Sequence, residues 1–270
     1  MAETSPRLFE ASGGAWPQLR VEAVQAAAEE PLLASDLHAT ILHHEKVEDA
    51  LAYHLAQKLG HADLPALQLR EVAREAYSAD PSLAEAALRD MRAVRERDPA
   101  CRTYLQPFLF FKGFNGLQAY RIAHWLWSQD RDILAYHLQS RISELFAVDI
   151  HPNAKIGAGV FIDHAHGIVI GETAVVDDDV SMLHSVTLGG TGKVGGDRHP
   201  KIRRGVMIGA GAKVLGNSVV GEEARIAAGS VVLSDVEPRC TVAGVPAKPV
   251  GGPCCEGTRP AEAMDQRIED

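Results

Sequence analysis

Two rhythms of apolar residues divide the chain. Up to about residue 150 they recur at three- and four-residue intervals, the spacing that gathers side chains on one face of an α-helix. The pattern predicts helices from Trp16 to Glu30, Ser35 to Leu59, Pro65 to Tyr77, Pro81 to Arg97 and Gly116 to Trp127. Boundary residues agree with it. Ser35 or Asp36 can cap a helix start, Gly60 can stop a helix after Leu59, and Asp80-Pro81 and Asp98-Pro99 interrupt the periodicity. Ser35 to Leu59 is expected to form one continuous helix.

After Asp149 an aliphatic residue or Ala returns every sixth position, at Ile150, Ile156, Ile162, Ile168, Ala174, Val180 and Val186. The frame lapses over 189–201 and resumes with Ile202, Ile208, Val214, Val220, Ile226 and Val232. Side chains six apart lie on opposite faces of an α-helix, so helices cannot produce this order. A short strand and a turn per six residues can, three such units closing one triangular coil of a parallel β-helix. Small residues two places earlier (Ala154, Ala212, Ser218, Ala224 and Ser230) suit the narrow corners. His166, Glu172 and His184 fall at that same place and stand out there. The fold class is therefore α+β: an all-α N-terminal domain over 1–148, a β-helix over 149–245 carrying the loop 189–201, and a Pro/Gly-rich tail over 246–270 expected to be mobile. Each coil buries itself only against its neighbours, so the helical half is expected to cap one end of the stack.

Composition narrows the partners. The 270 residues carry a net charge of -9 and no Lys/Arg run, which argues against a nucleic-acid backbone as ligand. No stretch nears the roughly 20 apolar residues of a membrane span, and Met1-Ala2-Glu3-Thr4 opens no signal-like region. No membrane partner and a cytoplasmic location are expected. Cys101, Cys240, Cys254 and Cys255 form neither a CxxC pair nor a disulfide framework.

Several segments carry a resemblance. Val148-Asp149-Ile150-His151-Pro152, Asp163-His164-Ala165-His166-Gly167-Ile168-Val169 and Gly171-Glu172-Thr173-Ala174-Val175 closely resemble stretches of bacterial serine O-acetyltransferases, within the hexapeptide-repeat acyltransferase family. So do 185–193 and Gly195-Gly196-Asp197-Arg198-His199-Pro200-Lys201-Ile202. Upstream, Arg97-Asp98-Pro99-Ala100, Lys112-Gly113-Phe114 and 119–126 extend the likeness into the helical half. The resemblance implies a left-handed β-helix. It also implies transfer of acetyl from acetyl-CoA to the hydroxyl of L-serine, the first step from serine toward cysteine.

Such a transfer needs a base to take the serine proton, work suited to an imidazole that titrates near neutrality. His164 is the candidate, and the resemblance places Asp149 behind it as the orienting carboxylate. By resemblance His199 acts from a neighbouring subunit, Arg198 meets the substrate carboxylate, Asp98 and Asp163 hold the amino group and hydroxyl, and Glu172 orients the site. An extended pantetheine arm along the β-helix favours small residues such as Gly190, Ala210 and Ala228, with Lys248 near a CoA phosphate. Acetyl-CoA enters as co-substrate; no permanently bound cofactor and no metal are expected. The rival is a zinc hydratase using His164, His166, His184 and His199. The family forms trimers, so a homotrimer, paired through the helical halves into a hexamer, is expected, with L-cysteine as feedback inhibitor. Relatives dock a terminal isoleucine into O-acetylserine sulfhydrylase, whereas this chain ends Ile268-Glu269-Asp270, which predicts weak or absent docking. Trp125 and Trp127 read as helix-packing residues.

Overall fold

The computed structural model describes residues 14–192, 195–251 and 259–267. Lys193, Cys254, Cys255 and the terminal Ile268-Glu269-Asp270 lie outside the described residues. The first half folds as helices α1 (Ala15–Glu29), α2 (Ala34–Leu37), α3 (Val47–Leu59), α4 (Ala66–Ala79), α5 (Ser82–Arg97), α6 (Leu105–Leu109), α7 (Lys112–Ser128) and α8 (Asp132–Phe146). The continuous helix expected over 35–59 is instead broken. After α2 the chain makes a π-helical turn over His38–Leu42 and goes extended at Lys46 before α3 begins. The carbonyls freed there find partners: Arg20 of α1 donates to those of Ile41, Leu42 and His44, and the Trp16 indole donates to Glu45 at 2.8 Å. Tertiary hydrogen bonding thus overrides a favourable local pattern, because a buried carbonyl is satisfied equally well from another helix.

The second half is a parallel solenoid with three faces. Face A stacks the strands Val148–Ile150, Ile168–Ile170, Thr187–Gly189, Lys213–Leu215 and Val231–Val232. Face B stacks Lys155–Ile156, Val175–Val176, Lys201–Ile202 and Val219–Val220, with an added bridge to Val236. Face C stacks Phe161–Ile162, Ser181–Met182, Met207–Ile208, Arg225–Ile226 and Thr241–Gly244, closed by Ala247–Pro249 running antiparallel.

Register exposes a slip in the sixfold frame. Val169 pairs with Thr187, eighteen residues on, but Val148 pairs with Ile168, twenty on. The first coil therefore holds two extra residues, at the turn 163–167, and the true inward row passes from Ile162 to Ile170, Val176, Met182 and Leu188. Ala174, Val180 and Val186 belong instead to the companion row, with Ala154 and Ala212, and are equally buried. The slip escapes notice because both rows are apolar. It also dissolves the oddity of His166, Glu172 and His184, which occupy turns and not the narrow inner row. A second excess separates Val175 from its partner Lys201, twenty-six residues on, and corresponds to the loop over 189–201.

The helical layer seals the first coil. Gly113 of α7 lies so close to Ile162 that a Cβ would sit 1.9 Å from its carbonyl oxygen. Beside it, buried Asp90 of α5 takes 2.7 Å and 3.2 Å bonds from Arg121 of α7, a 2.9 Å bond from Gln118 and another of 2.9 Å from the Val160 amide. Arg121 also reaches the carbonyls of Ile156 and Gly157 at 3.2 Å and 2.7 Å. One ion pair thereby satisfies the open edge of the solenoid, the requirement that lets a buried pair hold.

Nor is the described tail free of structure. Beyond the hairpin strand Ala247–Pro249, a short helix over Pro260–Ala263 packs back on face C, where the Ala261 carbonyl accepts from Ser181 Oγ at 2.8 Å and Met264 packs against the cluster of Ala93, Val94, Cys101 and Phe161. The reason is that the outward row of face C holds apolar Phe161 and Met207 with a hydroxyl donor, Ser181, between them, unlike an ordinary solvent-facing strand row.

Candidate active site at two corners of one face

Both irregular turns flank face A. The turn 163–167 joins face C to face A; the loop 189–201 joins face A to face B. Between them they gather all the candidate residues except Asp149 and Lys248.

At the C-to-A corner the two extra residues drive the backbone through left-handed conformations at His164 (φ 57), Ala165 (φ 60) and Gly167 (φ 72). For residues bearing a Cβ this region is costly and concentrates at functional sites. The result lifts the His164 side chain into solvent, 69% exposed, with its Nε2 3.5 Å from Asp163 Oδ2. The His184 ring, one coil below, meets it edge-on at 5.9 Å between centroids. Burial pushes the Asp163 carboxyl above its ordinary value; the His164 side chain opposes this and Asp98 adds to it. Asp98 itself ends α5, where its Oδ1 accepts from the Ala100 amide at 2.8 Å. Two carboxylates and an open imidazole therefore share this corner, a set suited to holding an ammonium group and taking a proton.

The A-to-B corner is closed and heavily bonded. Arg198 Nη2 donates to Glu172 Oε2 at 2.6 Å, and this bond holds the Glu172 carboxyl below its ordinary value. His199 is buried, its ring filling the space over Gly171, where a Cβ would lie 2.0 Å from Nε2. Burial first, then Arg198, pushes its imidazole toward the neutral form. Lys201 ties the loop down through Asp197 at 2.6 Å, the Thr173 carbonyl at 3.0 Å and the His199 carbonyl at 2.7 Å. His151, which no sequence pattern marked for a role, stands beside them: its ring packs on Trp127 and Tyr136 at 5.3 Å and 5.6 Å, and burial lowers its pKa while Glu172 raises it. Trp127 is thus part of the corner wall and not only a helix-packing residue. His151 could have been found from the solenoid pattern, since it follows the first face A strand at the turn that Gly171-Glu172-Thr173 occupies one coil later.

Asp149 lies on face A between the corners. Its Oδ1 accepts from Gln139 of α8 at 2.7 Å, and the carboxylate that meets His164 is Asp163. The strongest charge influences differ between the corners: Asp163 responds to His164, Asp98 and His184, while His199 responds to Arg198, Glu172, Lys201 and His151.

Ala210 and Ala228 continue the C-to-A corner down successive coils. The carbonyl of His184 accepts from Gly211 at 2.9 Å and that of Ala210 from Gly229 at 2.8 Å, so one strip of small residues runs away from His164. Lys248 is exposed on the hairpin past the last coil. Gly190 falls at the other corner, near Arg198 and His199. Among the described residues no three His, Cys, Asp or Glu side chains converge as a metal site, and no helix is long and apolar enough to cross a membrane.

The stacked solenoid is built of hexapeptide units, and the family model of bacterial transferase hexapeptide repeats matches residues 199–234. A second family model, the N-terminal region of serine acetyltransferase, matches residues 15–119. The serine acetyltransferase of Escherichia coli K12 is 58% identical over 253 residues, covering 94% of this chain and 92% of that one. A serine acetyltransferase solved in complex with cysteine superposes with a TM-score of 0.92 at 52% identity, covering 94% of this chain and 98% of the other. The Brucella abortus enzyme solved with coenzyme A gives 0.88 at 51% identity, covering 90% and 97%. The chain belongs to the serine acetyltransferase family, whose members are acyltransferases.

Proposed function

We propose that the protein transfers acetyl from acetyl-CoA to the hydroxyl of L-serine, yielding O-acetyl-L-serine and CoA, in the cytoplasmic route from serine to cysteine. The observation that carries this reading is the open imidazole of His164 beside Asp163, at the head of a corner that runs on through Ala210 and Ala228. His164 takes the proton of the serine hydroxyl while the oxygen attacks the thioester carbonyl. The tetrahedral oxyanion then collapses, the carbon–sulfur bond breaks, and the imidazolium returns the proton to the departing thiolate. Asp149 orients the imidazole in this scheme, exchanging its bond to Gln139 for one to His164 as the site fills. Asp98 and Asp163 hold the ammonium group and hydroxyl, and Arg198, braced by Glu172, meets the carboxylate. The pantetheine arm lies along the strip of small residues, with Lys248 beyond it.

One prism carries the base at one corner of face A and the carboxylate-binding group at the other. Threefold closure brings the first corner of one subunit against the second corner of the next, as a heterologous contact does when it closes into a ring. In this arrangement Gly190 and His199 of a neighbour complete the groove that starts at His164, and trimers pair through their helical halves. L-cysteine, with the same carboxylate and ammonium groups as serine, competes for the site; the relative solved with cysteine supports this.

The test is a thiol-release assay with acetyl-CoA and a panel of amino acids. Activity chiefly with L-serine is expected; turnover of another acceptor in its place would reject the assignment. Co-refolding two impaired variants, His164→Ala and His199→Ala, and assaying below saturating serine is expected to restore part of the activity, because mixed oligomers contain intact corner pairs. No restoration would show that each site is built within one subunit.

A further inference from the structure

Thr173 has no role in the scheme above, yet it organises the whole A-to-B corner. Its backbone N–H donates to His199 Nδ1 at 3.2 Å. An amide nitrogen cannot accept, so Nδ1 must be the acceptor and carries no proton. The hydroxyl points the same way: Thr173 Oγ1 accepts from the amides of Arg198 and His199 at 3.0 Å and 3.1 Å, which occupies its two lone pairs. Its own hydrogen has two acceptors, His199 Nδ1 at 2.9 Å and the Asp197 carboxylate, and with both lone pairs taken Oγ1 cannot accept from Nδ1 in either case. In a neutral imidazole with Nδ1 bare, the proton sits on Nε2. That nitrogen bonds none of the described residues, is not among the buried unpartnered atoms, and lies in the space over Gly171.

We propose that Thr173 is a positioning residue that fixes His199 as the neutral Nε2–H tautomer, making His199 a hydrogen-bond donor to the carboxylate of the amino-acid substrate and not a base. The proposal rests on the reading of this corner as the carboxylate-binding half of the site. Protonation at Nδ1 would set its hydrogen against the Thr173 amide hydrogen that already points at it. Burial and the nearby Arg198 oppose the cation as well. The donor is therefore present without a charge, and Arg198 supplies the charge.

Glutamine and asparagine separate the two ring nitrogens, because the Gln amide nitrogen can reach the place of Nε2 and that of Asn the place of Nδ1. His199→Gln is expected to keep kcat/KM for serine within about tenfold of wild type, and His199→Asn to lose about a hundredfold or more. Thr173→Val should raise KM for serine about tenfold, with kcat and KM for acetyl-CoA within about threefold, and Thr173→Ser should restore most of the loss. A merely loosened loop would change all three constants and would not respond to the hydroxyl. Nitrogen-15 spectra of the histidine-labelled enzyme, assigned with the His199→Gln variant, give a readout free of turnover: a protonated Nε2 and bare Nδ1 at position 199 are expected. The opposite tautomer, or Asn serving as well as Gln, overturns the proposal. Absence of serine acetylation in wild type would instead reject the functional reading while the spectra still decide the tautomer.

Discussion

The two corners of face A are built by the same device and finished in opposite ways. Each interrupts a regular solenoid with extra residues, two at 163–167 and a longer excursion at 189–201, and each uses the insertion to present an imidazole. At the first corner the ring is left open and its neighbouring carboxyl is pushed upward in pKa by burial. At the second the ring is buried, its tautomer fixed and its cationic neighbour paired. A group that must take and return a proton has to keep its protonation poised, whereas a group that recognises a fixed charge gains from being immobilised beforehand. On the proposed reading the contrast puts the proton transfer and the ammonium site at the first corner and recognition of the carboxylate at the second.

Removing the imidazole at the open corner is the most direct way to break that contrast. His164→Ala should lower kcat by about two to four orders of magnitude, and because the side chain is exposed, thermal unfolding should be unchanged. A comparable loss in KM with kcat preserved would place His164 among the binding groups instead. The closed corner should give the reverse signature. Arg198→Ala removes a charged hydrogen bond worth about 1.5–3 kcal/mol, which corresponds to a KM for serine raised roughly ten- to a hundredfold. A fall in kcat alone, measured at saturating serine, would contradict a recognition role.

How far the sequence led differs between the regions for physical reasons. The sixfold repeat announced the solenoid because every coil buries the same two rows, and the motif resemblance then marked residues of both corners. The same repetition concealed the two-residue insertion: with Ile168 and Ile170 both apolar, the frame could slip by two without meeting a polar residue. Helix periodicity located most of the helical layer but joined α2 to α3, since the pattern is blind to an arginine from α1 that satisfies the broken turn. Thr173, His151 and Gln139 carry no distinctive local signal, being ordinary polar residues made important by what the stacking sets beside them.

The open corner also depends on the helical layer, and this can be sharpened with glycine. A Cβ on Gly113 would lie 1.9 Å from the Ile162 carbonyl oxygen, so Gly113→Ala must push α7 off the strand that leads into Asp163 and His164. The expected cost is about 1–3 kcal/mol, read from urea unfolding, together with a fall in kcat. At the closed corner a Cβ on Gly195 would meet nothing within 4 Å, and Gly195→Ala should stay within about 0.5 kcal/mol of wild type. Equal destabilisation by the two would remove the claim that the helical layer supports the reacting corner.

The smallest effect compares the two acids directly. The Asp163 carboxyl has a raised pKa in the folded chain, so folding favours its protonated form; stability falls as pH rises from the ordinary carboxylate range through the raised value, and the penalty is complete at neutrality. Asp163→Asn should therefore melt slightly higher than wild type at pH 7, with the advantage vanishing in acid. The Glu172 carboxyl is lowered by Arg198, so its contribution is present at neutrality and is lost as pH falls through the folded value. Glu172→Gln should then melt slightly lower than wild type at pH 7, and the deficit should likewise vanish in acid. Solvent reaches both side chains, 21% and 33% exposed, which keeps each change below about 1 kcal/mol. Opposite signs from two carboxylates flanking one face would show that the reacting corner is held against its own stability while the recognising corner is not; shifts of the same sign would erase that distinction.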